Sequence, residues 1–169
     1  MAITYKFISS YTTPNNTTNT ITLSSIPQTY TDLVLRMCVR RNVNGSYYNI
    51  LLSFNGSPTY YNIFAQGNGS GGPGASSVPQ MVGDAQSNNE TAGYFDNIEV
   101  YLPNYRDTNM VRTFTSNSAA NTNTSLGYVM LTGNSISTTT AINTINIINR
   151  DGGNFLADST VYLYGINNS

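Results

Sequence analysis

Residues 159–166 read STVYLYGI. Successive side chains leave an extended strand on opposite faces, so Val161 and Leu163 share one side and Tyr162 and Tyr164 the other. The aliphatic pair suits a core. The other pair puts two aromatic rings on the opposite surface, and a fold that explains the segment has to place them.

Outward from this strand, the same texture recurs. ITYKFI (3–8), TITLSSI (20–26), DLVLRMCVRR (32–41), SYYNILLSF (46–54), TYYNIFA (59–65), YFDNIEVYL (94–102), MVRTFTS (110–116), LGYVMLT (126–132) and AINTINII (141–148) complete ten candidate strands. Most are rich in β-branched and aromatic residues and are separated by Gly, Asn, Pro or Ser clusters. Helical spacing is missing, although MVGDAQSNNETA (81–92) has room for one short helical turn. Many short strands with turn punctuation indicate an all-β sandwich or barrel. A chain of 169 residues fits a single domain spanning 1–169.

Local chemistry suggests some of the joints. Asn44-Gly45 and Asn55-Gly56 are dipeptides that accept the positive φ angles of a two-residue hairpin turn, so each is expected to join the strands flanking it. The echo of SYYNI (46–50) in TYYNI (59–63) marks two similar neighbouring strands but is too short for a repeat architecture. On the third run Leu33, Leu35, Met37 and Val39 share a face expected to look into the core. Val34, Arg36, Cys38 and Arg40 share the other, expected to look outward. The stretch from Gly67 to Pro79, with Gly71, Gly72 and Pro73 near its middle, has the composition of a surface loop or of an arm that orders against a neighbouring subunit.

Charge is scarce. Only 9% of residues are charged and the net charge is −1, whereas 24 Asn, 22 Thr and 18 Ser supply the polarity. One Lys and six Arg give no basic surface for phosphate contacts, so no nucleic acid partner is expected. Cys38, the single cysteine, cannot form an intrachain disulfide and is read as a packing residue. The N-terminal segment MAITYKFISSYTT lacks the features of a signal peptide, and no apolar run is long enough for a membrane helix. An amide- and hydroxyl-rich surface made without a signal peptide suggests a protein that folds in a host cytoplasm and leaves by lysis, as virion components do.

Chemistry-bearing patterns are weak. The absence of His removes Ser-His-Asp and Cys-His arrangements. Asp96 and Glu99, three apart on one strand, point to opposite faces and cannot form a glycosidase pair. NRDGGNFLAD (149–158) carries oxygen ligands at Asp151, Asn154 and Asp158 without the spacing of a calcium loop, and reads as a hairpin loop with Asx turns. No enzymatic activity, cofactor or metal is expected.

SSIPQTYTDLVLRMCVRR, FDNIEVYLPNY and above all NFLADSTVYLYGINNS resemble small jelly-roll virion proteins of tailed bacteriophages, whose last strand has the form Gly-Ser-Thr-hydrophobic-x-Leu-Tyr-Gly-Ile. Ala157-Asp158 departs from that pattern just before Ser159. The resemblance implies a jelly-roll-like antiparallel β-sandwich of about 8–10 strands. It also implies a structural role, as a capsid decoration or cement protein that stabilises the assembled shell, with the major capsid protein and copies of itself, as a homotrimer, for partners. A tail-fibre or receptor-binding module recognising host glycan is the alternative. Candidate interface residues are Tyr162, Tyr164, Arg36, Arg40, Gly71, Gly72 and Pro73.

Overall fold

Period-two alternation of apolar side chains lets a strand bury one face, and two such faces make a core when sheets stack about 10 Å apart. The computed structural model describes residues 4–44, 48–67, 81–121, 127–150 and 152–168. Eleven strands lie among them: β1 (Tyr5–Thr12), β2 (Thr20–Leu23), β3 (Asp32–Val39), β4 (Tyr48–Phe54), β5 (Ser57–Gly67), β6 (Met81–Ala85), β7 (Asp96–Leu102), β8 (Arg112–Asn121), β9 (Gly127–Ile136), β10 (Ile145–Asn149) and β11 (Thr160–Ile166). None of the described residues is helical.

All strand pairs are antiparallel and make a seven-stranded sheet, β1-β11-β3-β7-β8-β9-β5, and a four-stranded sheet, β2-β10-β4-β6. The path folds from one to the other at the β4–β5 hairpin, where Phe54 pairs with Ser57. Asn55 (φ 51°) and Gly56 (φ 76°) both occupy the left-handed region there, as the expected two-residue turn requires. Leu33, Leu35, Met37 and Val39 of β3 and Val161 and Leu163 of β11 face the core as the alternation predicts. Opposite them stand Ile50, Leu52 and Phe54 of β4 and Ile145 and Ile147 of β10.

Several expectations are corrected. Asn44-Gly45 does not join paired strands: β3 lies between β11 and β7, while β4 belongs to the other sheet. Two strands that each bury one face can lie side by side or across the sandwich, and the dipeptide does not decide between these. MVGDA forms strand β6, not a helical turn. All five of its residues are buried, which erases the alternation. Gly83 allows this position, since a β-carbon there would stand 2.8 Å from Ser118 Cβ and 2.9 Å from Ile98 Cδ1. Residues 149–158 are not a hairpin loop, because the segment crosses from β10 in one sheet to β11 in the other. Phe155, fully buried, is clamped there between Thr18 and Arg41. Asp151 lies outside the described residues.

Candidate functional site

The outward face of the seven-stranded sheet is ordered by register into rows. One runs Phe7–Tyr164–Val34–Tyr101–Thr115–Gly133–Ile63, and the next Ser10–Tyr162–Arg36–Glu99–Asn117–Leu131–Ala65. A third passes through Cys38, Asn97, Ala119 and Val129. Solvent-facing rows of an antiparallel sheet are ordinarily polar. These carry exposed rings at one end and exposed aliphatic groups at the other.

At the aromatic end Tyr162 is 40% exposed and Phe7 60%. Tyr164 is half-buried, because Tyr5 and Phe7 on β1 meet its ring edge-on at centroid distances of 6.2 and 6.1 Å. The guanidinium of Arg36 lies 5.3 Å from the Tyr5 ring centre and 5.9 Å from that of Tyr164, within cation–π range. Its Nε donates to Glu99 Oε2 at 2.7 Å, and that hydrogen bond holds the Arg36 proton more tightly than usual. Arg36 is thus neutralised by its cross-strand neighbour. Tyr101 donates its hydroxyl to Asp32 Oδ2 at 2.7 Å; burial, reinforced by that carboxylate, pushes its pKa up.

Tyr162, Tyr164 and Arg36 therefore meet on one surface, as their strand positions imply. Arg40 does not join them. Its side chain is buried and donates to the carbonyls of Thr91 (3.0 Å), Ser87 (3.3 Å) and Glu90 (2.8 Å), so it ties the 87–91 loop to the end of β3. The strand has ended by residue 40, and the alternation that would have turned Arg40 outward no longer applies. Gly71, Gly72 and Pro73 lie outside the described residues. Cys38 is exposed and not a packing residue, though desolvation, with Asp96 nearby, raises its thiol pKa.

The aliphatic end consists of Ile63, Leu131 and Val129, which were not singled out from sequence. Strand β9 alternates two sets that are each partly apolar, so its pattern alone does not name the outward one. Beside them, over Gly133, are open recesses of about 360 and 400 Å³, both flanked by Ile63 and Thr115 and the larger also by Leu131. At the end of β7, a further cleft of about 330 Å³ is lined by Tyr94, Phe95, Asn97 and Tyr128 among others.

Among the described residues no three His, Cys, Asp or Glu side chains gather as a metal site would require. Asp96 is buried on the core side of β7 while Glu99 faces outward, as their spacing predicts. No family model, curated protein or solved structure matches this chain. The composition of its surfaces is the basis for a functional reading.

Proposed function

We propose that this chain is a virion structural protein of a tailed phage, a jelly-roll module that decorates the capsid and stabilises the assembled shell as a homotrimer. Its role in this reading is adhesion to the major capsid protein and to its own copies, without catalysis. The observation that carries the proposal is the outer surface of the large sheet, where aromatic and aliphatic side chains stand exposed and the Arg36–Glu99 charges cancel. Large exposed apolar patches mark contact surfaces, and low charge suits permanent contact better than salt-sensitive steering.

Strand pairing supports the jelly-roll part of the reading. With β5 and the β8–β9 hairpin set aside, eight strands remain, in the orders β1-β11-β3-β7 and β2-β10-β4-β6. They pair as one long folded ribbon, β1 with β11, β2 with β10, β3 with β7 and β4 with β6. Rolling that ribbon adds the contacts β11–β3 and β10–β4, and two Greek keys result. The additional strands β8, β9 and β5 widen only the sheet whose outer face carries the apolar surface.

A decoration protein binds the intact lattice and favours it by mass action. Heads assembled without this protein should form normally but burst more readily on heating or DNA filling. Mutant heads as robust as wild type would contradict the reading. The cleft between Tyr94, Phe95 and Tyr128 favours a second one, a tail module that takes a neutral glycan, since ligand sites combine apolar walls with a few polar groups. Copy number per particle separates the two: a shell-wide count supports decoration, a handful supports the tail. Loss of host-cell binding in Tyr94→Ala or Tyr128→Ala would also favour the tail.

A further inference from the structure

The three strands β8, β9 and β5 carry apolar side chains on both of their faces. Their buried side carries Phe114, Met130 and Ile136 together with a polar cluster, Asn62, Ser116, Ser118, Thr132 and Asn134. Four of these polar groups bond to one another or to β6: Asn62 Nδ2 donates to Asn134 Oδ1 at 2.8 Å and to the Met81 carbonyl at 2.6 Å, Asn134 Nδ2 donates to Thr132 Oγ1 at 2.7 Å, and Ser116 Oγ donates to the Val82 carbonyl at 2.6 Å. Their outward side carries Ile63 at 72% exposure, Val129 at 66% and Leu131 at 58%. Leu131 stands opposite Ala65, and Val129 opposite Ala119. A monomer in water gains nothing from leaving these three aliphatic side chains outside. Burial of the outward side in an assembly removes the contradiction.

From this exposed aliphatic set we infer that the outward face of β8–β9–β5 is the surface by which copies of this chain associate. The inference rests on the self-association part of the proposed function and names its contact face. Charge selects the occupant. Near any rotation axis equivalent residues meet their own images, so a charged side chain there would face its like. The outward residues described on these strands, Thr113, Thr115, Asn117 and Ala119 on β8, Val129, Leu131, Gly133 and Ser135 on β9, and Ile63, Ala65 and Gly67 on β5, include no ionisable group. The exposed ion pair of the same sheet lies away from them, on β3 and β7. Shape agrees: the face carries both a projection, Ile63, and a recess over Gly133, its cross-strand neighbour. Size is compatible too. Three strands about 4.8 Å apart and about ten residues long project roughly 500 Å², and protruding side chains bring this toward the about 800 Å² per partner of a stable interface.

Sedimentation of the full chain, wild type against Leu131→Lys and Gly133→Leu, tests this. Both positions face outward, and nothing lies within 4 Å of a β-carbon at 133, so each variant is expected to fold, which its thermal transition verifies. The wild type should have the mass of an oligomer, and Leu131→Lys should raise the dissociation constant on the order of a hundredfold, since an unpaired charge is buried. Gly133→Leu, which fills the recess, should weaken association as well. A wild-type chain that stays monomeric, or folded variants that associate as tightly as wild type, would overturn the inference. Co-sedimentation with shells is read separately: a monomer that still binds shells leaves the decoration role standing, whereas an oligomer that Leu131→Lys dissolves and that ignores shells supports the contact face and removes that role.

Discussion

The ring of Tyr30 lies on Gly165, occupying the space that a side chain at that position of β11 would need. This accounts for the glycine in STVYLYGI. The strand is crossed by an aromatic side chain from the segment before β3, and only a bare α-carbon accepts it. Gly165→Ala should therefore lower unfolding free energy by about 2 kcal/mol, the usual scale of overpacking. Gly133→Ala, where the added methyl meets open space, should leave it almost unchanged. Urea denaturation of the two variants measures the contrast.

Arg112 should be among the costliest residues to replace. Its guanidinium is buried and donates to four carbonyls, Tyr105 (2.8 Å), Asp107 (2.6 Å), Thr138 (2.7 Å) and Thr140 (2.7 Å), so one side chain closes two loops. Desolvation lowers its pKa without making the group neutral, and the carbonyls replace the lost water. Arg112→Ala should destabilise the chain by about 3 kcal/mol, because buried acceptors lose their donors. Arg112→Lys, with fewer donors and no planar fork, should recover only part of that loss. Thermal unfolding of both variants would show the order.

These two cases also show what could be read from sequence. The inward sets of β3 and β11 follow from alternation, because each has one fully apolar side. The Asn55-Gly56 turn follows from its dipeptide. Sheet membership of β4 does not, since Asn44-Gly45 carries the same signal and joins unpaired strands. Strand β6 is masked because both its faces are buried, and Arg40 and Arg112 are masked because a charged side chain ordinarily signals solvent. The Tyr162, Tyr164 and Arg36 surface was readable because one periodicity sets it. The Ile63, Val129 and Leu131 surface was not, since that depends on which side of β9 the other sheet covers.

Asp84 should leave a signature in the pH dependence of stability. Burial pushes its carboxyl above the ordinary value of 3.8, against the opposing effects of the Asn49 hydrogen bond and the Arg41 charge. Between the ordinary and the raised value the folded chain holds a proton that the unfolded chain has released. The slope of stability with pH is therefore negative there, and the contribution present at low pH is lost as pH rises through the folded value. Asp84→Asn should flatten that decline. Urea midpoints taken upward from about pH 4 would test it, and an unchanged slope in the variant would contradict the assignment.

Breaking the Arg36–Glu99 pair should matter little for folding. Both side chains are substantially solvent-exposed, so Glu99→Gln should change stability by less than about 1 kcal/mol, and by less still in high salt. The same substitution leaves Arg36 without its counter-charge on the outer face and should weaken binding to shells. A variant with lowered stability but normal shell binding would reverse both expectations.

The central claim is that the outer face of the large sheet is covered when the protein is at work. Hydroxyl-radical footprinting of Phe7, Tyr162 and Leu131, in the isolated chain under dissociating dilution and in intact particles, addresses it most directly. The account predicts strong labelling of the dilute chain and marked protection in the particle. Equal labelling in both states would contradict it.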